Sequence, residues 1–375
     1  MKLGAHIRSY TVASIRADSP AAGQRAWRAV LAALEVGYRA GIAIRAWSFL
    51  WGLRRVRRLP CPVICVGNLT VGGSGKTPCV IALAKRLQAR GHAVGILLRG
   101  YGRCGSGFAV VGERGGGQGS WQTVGDEAVL IAERLPNVPV VVGGDRFGAG
   151  RELLRRMRVD VLLLDDGFQH RQLHRDLDLV MVDAMDPFGG GRLLPRGRLR
   201  ELPSALRRAQ AVILSHTDQA SDLSNLRQRL REIAPDIPLV LSRHRPIRLA
   251  ELGRAGELAL GELAGRQVLA VCGIAGPEGF HRALRDLGAV LAGIMVFPDH
   301  YAYTWDDILR VQKVAEGVGA ELIVTTEKDA VRIPAVKPGT TLAGRMLVLG
   351  VDLEITEGQD ALEDLFKRCM EKACG

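Results

Sequence analysis

The chain is poor in aromatic residues, which make up 5% of its 375 positions. Three of the five tryptophans, Trp27, Trp47 and Trp51, lie in one stretch near the N-terminus. The basic residues, which give a formal net charge of +12, therefore lack the interleaved aromatic side chains on which single-stranded nucleic acid stacks. This scarcity argues against a nucleic-acid-bound ATPase, and we expect no nucleic-acid partner. A phosphorylated substrate or an anionic membrane surface would account for the charge equally well.

Cysteine pairs are also missing. The seven cysteines are an odd number, show no C-x-x-C spacing and have no histidine nearby at the spacing of a metal site. Such a pattern is typical of reduced thiols in a cytoplasmic protein. We therefore expect free thiols at Cys61, Cys65, Cys79, Cys104, Cys272, Cys369 and Cys374.

No uninterrupted apolar run is long enough to cross a bilayer. A span needs about 18 consecutive apolar residues, whereas the apolar stretch at residues 26–53 is interrupted by Glu35, Arg39 and Arg45. Residues 1–20 contain charged side chains and no apolar core, which argues against a signal peptide. We therefore expect neither a transmembrane span nor export.

What remains is an amphipathic N-terminal segment, residues 1–58, whose helix carries tryptophan and leucine anchors. Directly behind these anchors come Arg54, Arg55, Arg57 and Arg58. Each basic residue near an anionic leaflet adds about 1 kcal/mol of attraction, and tryptophan favours the membrane interface. We predict that the segment binds the membrane surface. The alternative is a helix that packs on the protein's own core.

Downstream of residue 58, short apolar runs alternate with helical patterns, which is the signature of a parallel sheet with helices on both faces. The alternation predicts a doubly wound α/β domain at residues 59–215 and a second, smaller α/β domain at residues 216–375. A glycine-rich surface loop is expected at residues 112–119. The predicted strands are residues 62–66, 93–98, 138–142, 159–164, 179–182, 211–214, 239–241, 268–272, 290–297, 322–324 and 346–351.

The strongest local motif is a glycine-rich loop, V-G-N-L-T-V-G-G-S-G-K-T-P at residues 66–78, between a predicted strand and a predicted helix. Glycines let consecutive backbone N–H groups turn towards phosphate oxygens, while the lysine reaches the outer phosphates and the threonine hydroxyl binds Mg²⁺. The loop departs from the usual pattern because Thr70 stands where the first glycine is expected. The motif makes the first domain P-loop-NTPase-like and predicts an ATP site at Thr70, Val71, Gly72, Gly73, Ser74, Gly75, Lys76 and Thr77.

Two aspartates, Asp165 and Asp166, follow the apolar run at residues 161–164. A P-loop enzyme needs an acidic residue at the end of such a strand to hold Mg²⁺ or its water shell. Together with Thr77, the pair therefore predicts a Mg²⁺ site. The alternative is a turn or a helix cap that uses the Asp166-Gly167 dipeptide.

Around these aspartates the sequence is D-D-G-F-Q-H at residues 165–170, and further motifs lie on both sides. Together with the glycine-rich loop, the ordered set resembles the tetraacyldisaccharide 4'-kinase family of lipid A biosynthesis, over residues 26–335. One departure is Ala128, where the family usually has proline. The other matching motifs are L-R-G-Y-G at residues 98–102, G-D-E at 125–127, L-P-R-G-R-L-R-E at 194–201, F-P-D-H-Y at 297–301 and T-T-E-K-D-A-V-R at 325–332.

The resemblance implies a kinase that transfers the γ-phosphoryl group of ATP to the 4'-hydroxyl of an acylated glucosamine disaccharide 1-phosphate. It assigns Asp126 and His300 to a dyad that deprotonates this hydroxyl, because a carboxylate orients an imidazole and makes it a better proton acceptor. The alternative for Asp126 is a helix N-cap, and the alternative for His300 is a hydrogen-bonded loop residue. Lys76 would neutralise charge on the transferred group, with Asp166 beside the metal ion.

The resemblance also implies roles for four more residues. It places Gln169, His170 and Arg200 beside the nucleotide, and it adds Glu201 to the predicted metal ligands. The alternative for these four residues is a solvated turn and a capping pair. The implied location is the cytoplasmic face of the inner membrane, as a peripheral or monotopic protein, and we expect a monomer.

The competing function is that of a P-loop GTPase or a metallochaperone-type NTPase. Such proteins share the glycine-rich loop and the paired aspartates, but a GTPase should carry an N-K-x-D guanine-binding motif after a late strand. The nearest candidate, Ser215-His216-Thr217-Asp218, lacks both the asparagine and the lysine. The sequence therefore favours ATP.

Overall fold

The structure is a computed structural model that describes residues 22–100, 103, 107–112, 120–334 and 345–374. The glycine-rich surface loop beyond Gly112, the last two residues of the L-R-G-Y-G motif and the segment at residues 1–20 lie outside the described residues. No helix in the described ranges is long and apolar enough to cross a membrane.

The described residues form an α/β fold around one twelve-stranded sheet. The N-terminal half contains α1 (Ala22–Leu50), β1 (Val63–Asn68), α2 (Lys76–Ala89), β2 (Val94–Leu98), β3 (Ala109–Val111), α3 (Trp121–Val124), α4 (Asp126–Arg134), β4 (Val140–Val142), α5 (Arg146–Arg156), β5 (Val161–Asp165), β6 (Leu177–Asp183) and β7 (Ala211–Ser215). The C-terminal half contains α6 (Leu223–Ile233), β8 (Leu239–Glu251), β9 (Gln267–Cys272), α7 (Pro277–Asp286), β10 (Val290–Val296), α8 (Trp305–Gly317), β11 (Leu322–Thr326), α9 (Glu327–Ala330), β12 (Arg345–Glu357) and α10 (Gln359–Cys374).

The strand order is β10-β9-β11-β12-β8-β7-β6-β1-β5-β2-β4-β3. Strand β12 is antiparallel to β8 and β3 is antiparallel to β4, whereas the other neighbours run parallel. Every residue of β1 and β5 is buried, because helices cover both faces of the central sheet. Burial on both faces explains why these strands are continuous apolar runs in the sequence. The predicted α/β fold with a largely parallel sheet is confirmed.

Strands β8 and β12 are much longer than the sequence predicts, at 13 residues each. The outer part of β8 alternates exposed and partly buried residues around Arg243, the two-residue period of an antiparallel ladder with one solvated face. Arg243 Nε donates across the ladder to Glu354 Oε2 over 2.8 Å. The predicted domain boundary after residue 215 falls between β7 and α6. One sheet continues through both halves, so the division into two domains stays a prediction.

Helix α1 docks along one face on the N-terminal half. The Tyr38 hydroxyl donates to Arg200 O over 3.1 Å, and Glu35 Oε1 accepts from Leu193 N over 3.0 Å. At the C-terminal end of the helix, Leu50 and the following Trp51 are each 73% exposed. The helix therefore packs on the protein core and also presents apolar side chains to the surroundings.

Candidate active site

The glycine-rich loop connects β1 to the start of α2. Gly75 immediately precedes Lys76 and has a φ of 78°, a backbone conformation that glycine adopts without steric cost. A Cβ at this position would lie 2.6 Å from His244 Nε2, so the loop has no room for a side chain there. Asn68 Nδ2 donates to Ser74 Oγ over 3.0 Å inside the loop. Since the loop lies at the N-terminus of α2, its N–H groups and the helix dipole favour a bound phosphate.

Thr70, which departs from the usual loop pattern, has a structural explanation. It is buried and forms an isolated antiparallel bridge with Leu199. Next to it, Val71 N donates to Arg198 O over 2.8 Å. A bridged residue has an extended backbone that any side chain tolerates, so glycine is not needed here. The turn is made instead by Gly72, whose φ is 112°.

Lys76, Asp166 and Arg200 form an ionic cluster at the mouth of the loop. Lys76 Nζ lies 3.6 Å from Asp166 Oδ1, and Arg200 NH1 donates to Asp166 Oδ1 and Oδ2 over 2.8 and 2.9 Å. Burial of Asp166 favours its protonated form, but the two cations outweigh burial and hold the pKa of this carboxyl below its ordinary value. Asp166 is therefore a carboxylate at neutral pH, placed beside the lysine that reaches the outer phosphates.

Asp165 lies directly beneath this cluster and has a different electrostatic environment. Its side chain is buried, and Oδ1 has no hydrogen-bond partner among the described residues. Burial, followed by the charge of Glu127, raises the pKa of Asp165 to about 8. An unsatisfied buried carboxylate oxygen is costly unless a ligand completes its environment.

These oxygen donors fit a hard divalent cation. The described residues contain no cluster of three or more His, Cys, Asp or Glu side chains that could enclose a metal ion by themselves. Mg²⁺ normally takes one or two carboxylates and completes its shell with water and phosphate oxygens. Asp165, Asp166 and the Thr77 hydroxyl in the first turn of α2 supply that kind of partial ligand set.

The predicted dyad residues are in direct contact. His300 Nδ1 lies 2.8 Å from Asp126 Oδ2, although the two residues are 174 positions apart. Asp126 begins α4, and its Oδ1 accepts from Glu127 N over 3.0 Å. The N-cap position is Gly125, so Asp126 is the first residue of the helix and not its N-cap; one carboxylate oxygen accepts from the Glu127 amide and the other contacts His300. His300 follows β10 with a φ of 58°.

Several charged groups surround the dyad. Burial alone would raise the pKa of Asp126, but the hydrogen bond and charge of His300, followed by Lys328 and Arg332, lower it below its ordinary value. Lys328 Nζ lies 3.4 Å from His300 Nε2. Asp126 is therefore ionised at neutral pH and can orient the imidazole. Glu127, the next residue of α4, acts on the other cluster, because its charge contributes to the raised pKa of Asp165.

The remaining predicted residues are Gln169, His170 and Glu201. Gln169 Nε2 donates to Asn68 O over 3.0 Å and its Oε1 accepts from Arg200 NH1 over 3.4 Å, so Gln169 joins the loop cluster. Burial, followed by the nearby charge of Arg146, lowers the pKa of His170 to about 4, and the imidazole is neutral at pH 7. Glu201 instead pairs with Arg208 over 2.9 Å. The structure does not place Glu201 against the aspartate pair.

Two groups of residues that lie beside the site are not among the predicted site residues. Arg332 lies 3.3 Å from Asp126 Oδ2, and the T-T-E-K-D-A-V-R motif that contains it was the available signal. The second group is the Asp183–His216 pair, with Oδ1 and Nδ1 3.0 Å apart, and the neighbouring His244 that touches the glycine-rich loop. No local motif marks this second group.

Known proteins provide an independent comparison. The family profile described as Tetraacyldisaccharide-1-P 4'-kinase matches residues 27–371. A tetraacyldisaccharide 4'-kinase of Anaeromyxobacter dehalogenans (strain 2CP-C) is 45% identical over 334 residues, which cover 88% of this chain and 87% of the relative. Another, of Syntrophus aciditrophicus (strain SB), is 38% identical over 353 residues, with 91% and 93% coverage.

A solved structure agrees with these relatives. The crystal structure described as the "apo" form of LpxK from Aquifex aeolicus in complex with ATP has a TM-score of 0.73 and 32% identity to this chain. The match covers 92% of this chain and 99% of that one. The resemblance seen in the ordered motifs is thereby confirmed. This chain belongs to the tetraacyldisaccharide-1-P 4'-kinase family.

Proposed function

We propose that this protein catalyses phosphoryl transfer at a site that lies between the glycine-rich loop and the Asp126–His300 dyad. The γ-phosphoryl group of ATP would pass to the 4'-hydroxyl of a tetraacyldisaccharide 1-phosphate. The observation that carries the proposal is the 2.8 Å contact between His300 Nδ1 and Asp126 Oδ2. In this contact the carboxylate fixes the imidazole, as a general base requires.

The acceptor side of the reaction depends on His300. With its Nδ1–H directed to Asp126, the imidazole presents Nε2 as the proton acceptor for the sugar hydroxyl. The hydroxyl oxygen attacks the γ-phosphorus, the bond to the ADP leaving group breaks, and the proton ends on Nε2. The carboxylate then stabilises the imidazolium. Positioned general bases contribute about 10²- to 10⁴-fold.

The nucleotide side depends on backbone amides and cations. The loop N–H groups would hold the β-phosphate, and Lys76 would compensate charge on the outer phosphates. Thr77, Asp165 and Asp166 would hold Mg²⁺, which when bound would supply positive charge to the phosphates. Lys76 and Arg200 keep Asp166 ionised, and the hydrogen bonds from Arg200 hold it in place. Glu201 could join these ligands only after leaving Arg208.

We also propose that the protein works at the cytoplasmic face of the inner membrane, as a peripheral or monotopic monomer. An acylated substrate does not leave the bilayer readily, because each CH₂ group costs about 0.8 kcal/mol. At the end of α1 the exposed Trp47, Leu50 and Trp51 are followed by Arg54 and Arg55. This end of α1 also borders a cavity of about 240 Å³, which is lined by Phe49, Leu50, Val56, Arg171, Leu173, His174 and Arg175. This combination suits an anionic lipid surface.

The domain assignment belongs to the same proposal. Residues 59–215 would bind the nucleotide and residues 216–375 would contribute His300 to the substrate cleft. The sheet joins the two parts through β7 and β8, so a cleft motion would bend the sheet near this junction.

A direct assay tests the proposal. The purified protein is incubated with Mg-ATP and a disaccharide 1-phosphate lipid, and the product is analysed by mass spectrometry. We expect a product heavier by one phosphoryl group. Absence of this product with an authentic substrate, or a preference for GTP over ATP, would contradict the proposed function.

A further inference from the structure

Helix α4, which carries Asp126, is held at both ends by one short segment of the C-terminal half. This clamp segment, residues 326–332, contains α9. At the end of α4, Arg134 NH1 donates to Glu327 Oε2 over 2.7 Å, and both side chains are buried. At the start of α4, Arg332 NH1 lies 3.3 Å from Asp126 Oδ2. The clamp segment therefore contacts both ends of the helix that presents the dyad carboxylate.

Arg332 is oriented by contacts within the C-terminal half. Its side chain is 1% exposed, and NH2 donates to Asp329 Oδ1 over 2.5 Å and to Gly273 O over 3.1 Å. Asp329 is fully buried and also accepts from the Tyr303 hydroxyl over 3.0 Å. With NH2 fixed in this way, NH1 is directed towards Asp126.

The charge of Arg332 has few other compensating groups. Its Nε and NH1 atoms have no hydrogen-bond partner within the described part of the chain. The carboxylates within ion-pair distance are Asp329 and Asp126. A buried guanidinium strongly favours ionised neighbours, so it opposes protonation of Asp126. Asp126 Oδ2 consequently faces one cation, the guanidinium of Arg332, and one hydrogen-bond donor, the Nδ1–H of His300.

We propose that Arg332 is a positioning residue for phosphoryl transfer, which holds Asp126 as a carboxylate aligned on His300. The inference rests on the proposed dyad and adds a group that touches neither substrate nor nucleotide. Because Arg332 belongs to the same half as His300, it also ties the carboxylate of α4 to the side of the cleft from which the imidazole comes. Alignment of the dyad would then require the clamp segment to be in place.

The charges around the dyad give the direction of the expected pH effect. Lys328 Nζ lies 3.4 Å both from His300 Nε2 and from Asp299 Oδ1, so this lysine and aspartate offset each other. Removal of the Arg332 cation leaves the dyad with less positive surroundings, and it then binds a proton more tightly. The dyad is therefore already protonated, and inactive as a base, at a higher pH than in the wild type. The acid limb of the rate profile shifts to higher pH. The charged groups that face the dyad are Arg332, Lys328 and Asp299, with Asp329 paired to Arg332 behind it.

The experiment compares Arg332→Met with Arg134→Met, a matched loss of a buried arginine at the other end of α4. Melting temperature, KM for ATP and the pH profile of kcat/KM are measured for each variant with Mg-ATP and the disaccharide 1-phosphate lipid. For Arg332→Met we expect kcat to fall about 10- to 100-fold and the acid limb to rise by about one pH unit. For Arg134→Met we expect a lower melting temperature and an unmoved limb.

Conservative variants keep the inference testable. Arg332→Lys retains the charge and should return the acid limb to its wild-type position, with kcat only partly recovered because lysine lacks the planar fork. If Arg332→Met does not fold, Arg332→Gln is used, which removes the charge at similar size. If neither neutral variant folds, the position of the acid limb in Arg332→Lys is the test. An unshifted limb in a folded neutral variant, or a shifted limb in Arg332→Lys, overturns the inference.

The dyad itself requires a separate control. Asp126→Asn should be almost inactive, because it removes the carboxylate from the dyad. If this variant keeps wild-type turnover, the proposed function of the dyad fails. If Asp126→Asn is inactive while Arg332→Met behaves like Arg134→Met, only the inference about Arg332 fails.

Discussion

Replacement of Asp126 by asparagine tests the dyad with the smallest change in shape. The carboxylate contacts His300 Nδ1 at 2.8 Å and lies 3.3 Å from Arg332. An amide keeps the volume but removes the charge that orients and stabilises the imidazolium. We expect kcat to fall by about 10²- to 10⁴-fold, which corresponds to a barrier higher by roughly 3–5 kcal/mol.

Stability changes less than activity in this variant. Arg332 loses one of its two carboxylate neighbours but keeps Asp329 at 2.5 Å. We therefore expect the free energy of unfolding to fall by about 1–3 kcal/mol, and kcat must be measured well below the melting temperature. KM for ATP should stay close to the wild-type value, because the nucleotide is assigned to the loop.

The assay follows formation of the phosphorylated lipid at saturating Mg-ATP, with a melting curve for each protein. The control is Glu133→Gln, the same chemical change near the other end of α4. Glu133 is exposed on the same helix and has no part in the proposed reaction. We expect the control to retain most of its turnover. Turnover in Asp126→Asn within twofold of the control would refute the dyad.

Three further predictions concern the nucleotide and membrane sites. Burial raises the pKa of Asp165 to about 8, so Mg²⁺ must displace a proton from this carboxyl when it binds. Mg²⁺ titrations should therefore show weaker binding as the pH falls from 8.5 to about 6.5. A pH-independent Mg²⁺ affinity would contradict this. Gly75→Ala should abolish most ATP binding in calorimetry, because φ 78° costs about 1–3 kcal/mol in a side-chain residue and the Cβ meets His244; wild-type affinity would argue against the cradle. The double variant Leu50→Asp and Trp51→Asp should lose binding to anionic vesicles and keep its melting temperature, because both residues are 73% exposed; unchanged co-sedimentation would refute anchoring at the end of α1.

The loop site could be predicted because its chemistry is contiguous in the chain. Residues 66–78 contain the turn glycines, the lysine and the hydroxyl in order, and the apolar run before Asp165 identifies a buried strand. Such local patterns persist whatever the rest of the chain does, since strand burial and phosphate cradling need only neighbouring residues. The dyad was different: no spacing rule relates Asp126 to His300, and the family resemblance alone suggested the pair.

The lengths of β8 and β12 could not be derived from local patterns. Their outer halves carry charged residues such as Arg243 and Glu354, which become strand residues only because they pair with each other across the ladder. The same holds for Glu201, whose predicted metal role competes with an ion pair to Arg208 that the sequence does not announce.

By itself, the sequence determined the α/β class, the phosphate loop, the acidic pair and the amphipathic start of the chain, because each depends on residues close together in the chain. Only the tertiary structure decided that His300 meets Asp126, that Arg332 lies against the same carboxylate, and that one sheet joins both halves. These contacts link residues more than 170 positions apart. Their energy comes from desolvated charges and buried strand pairs, which exist only after the chain has closed on itself.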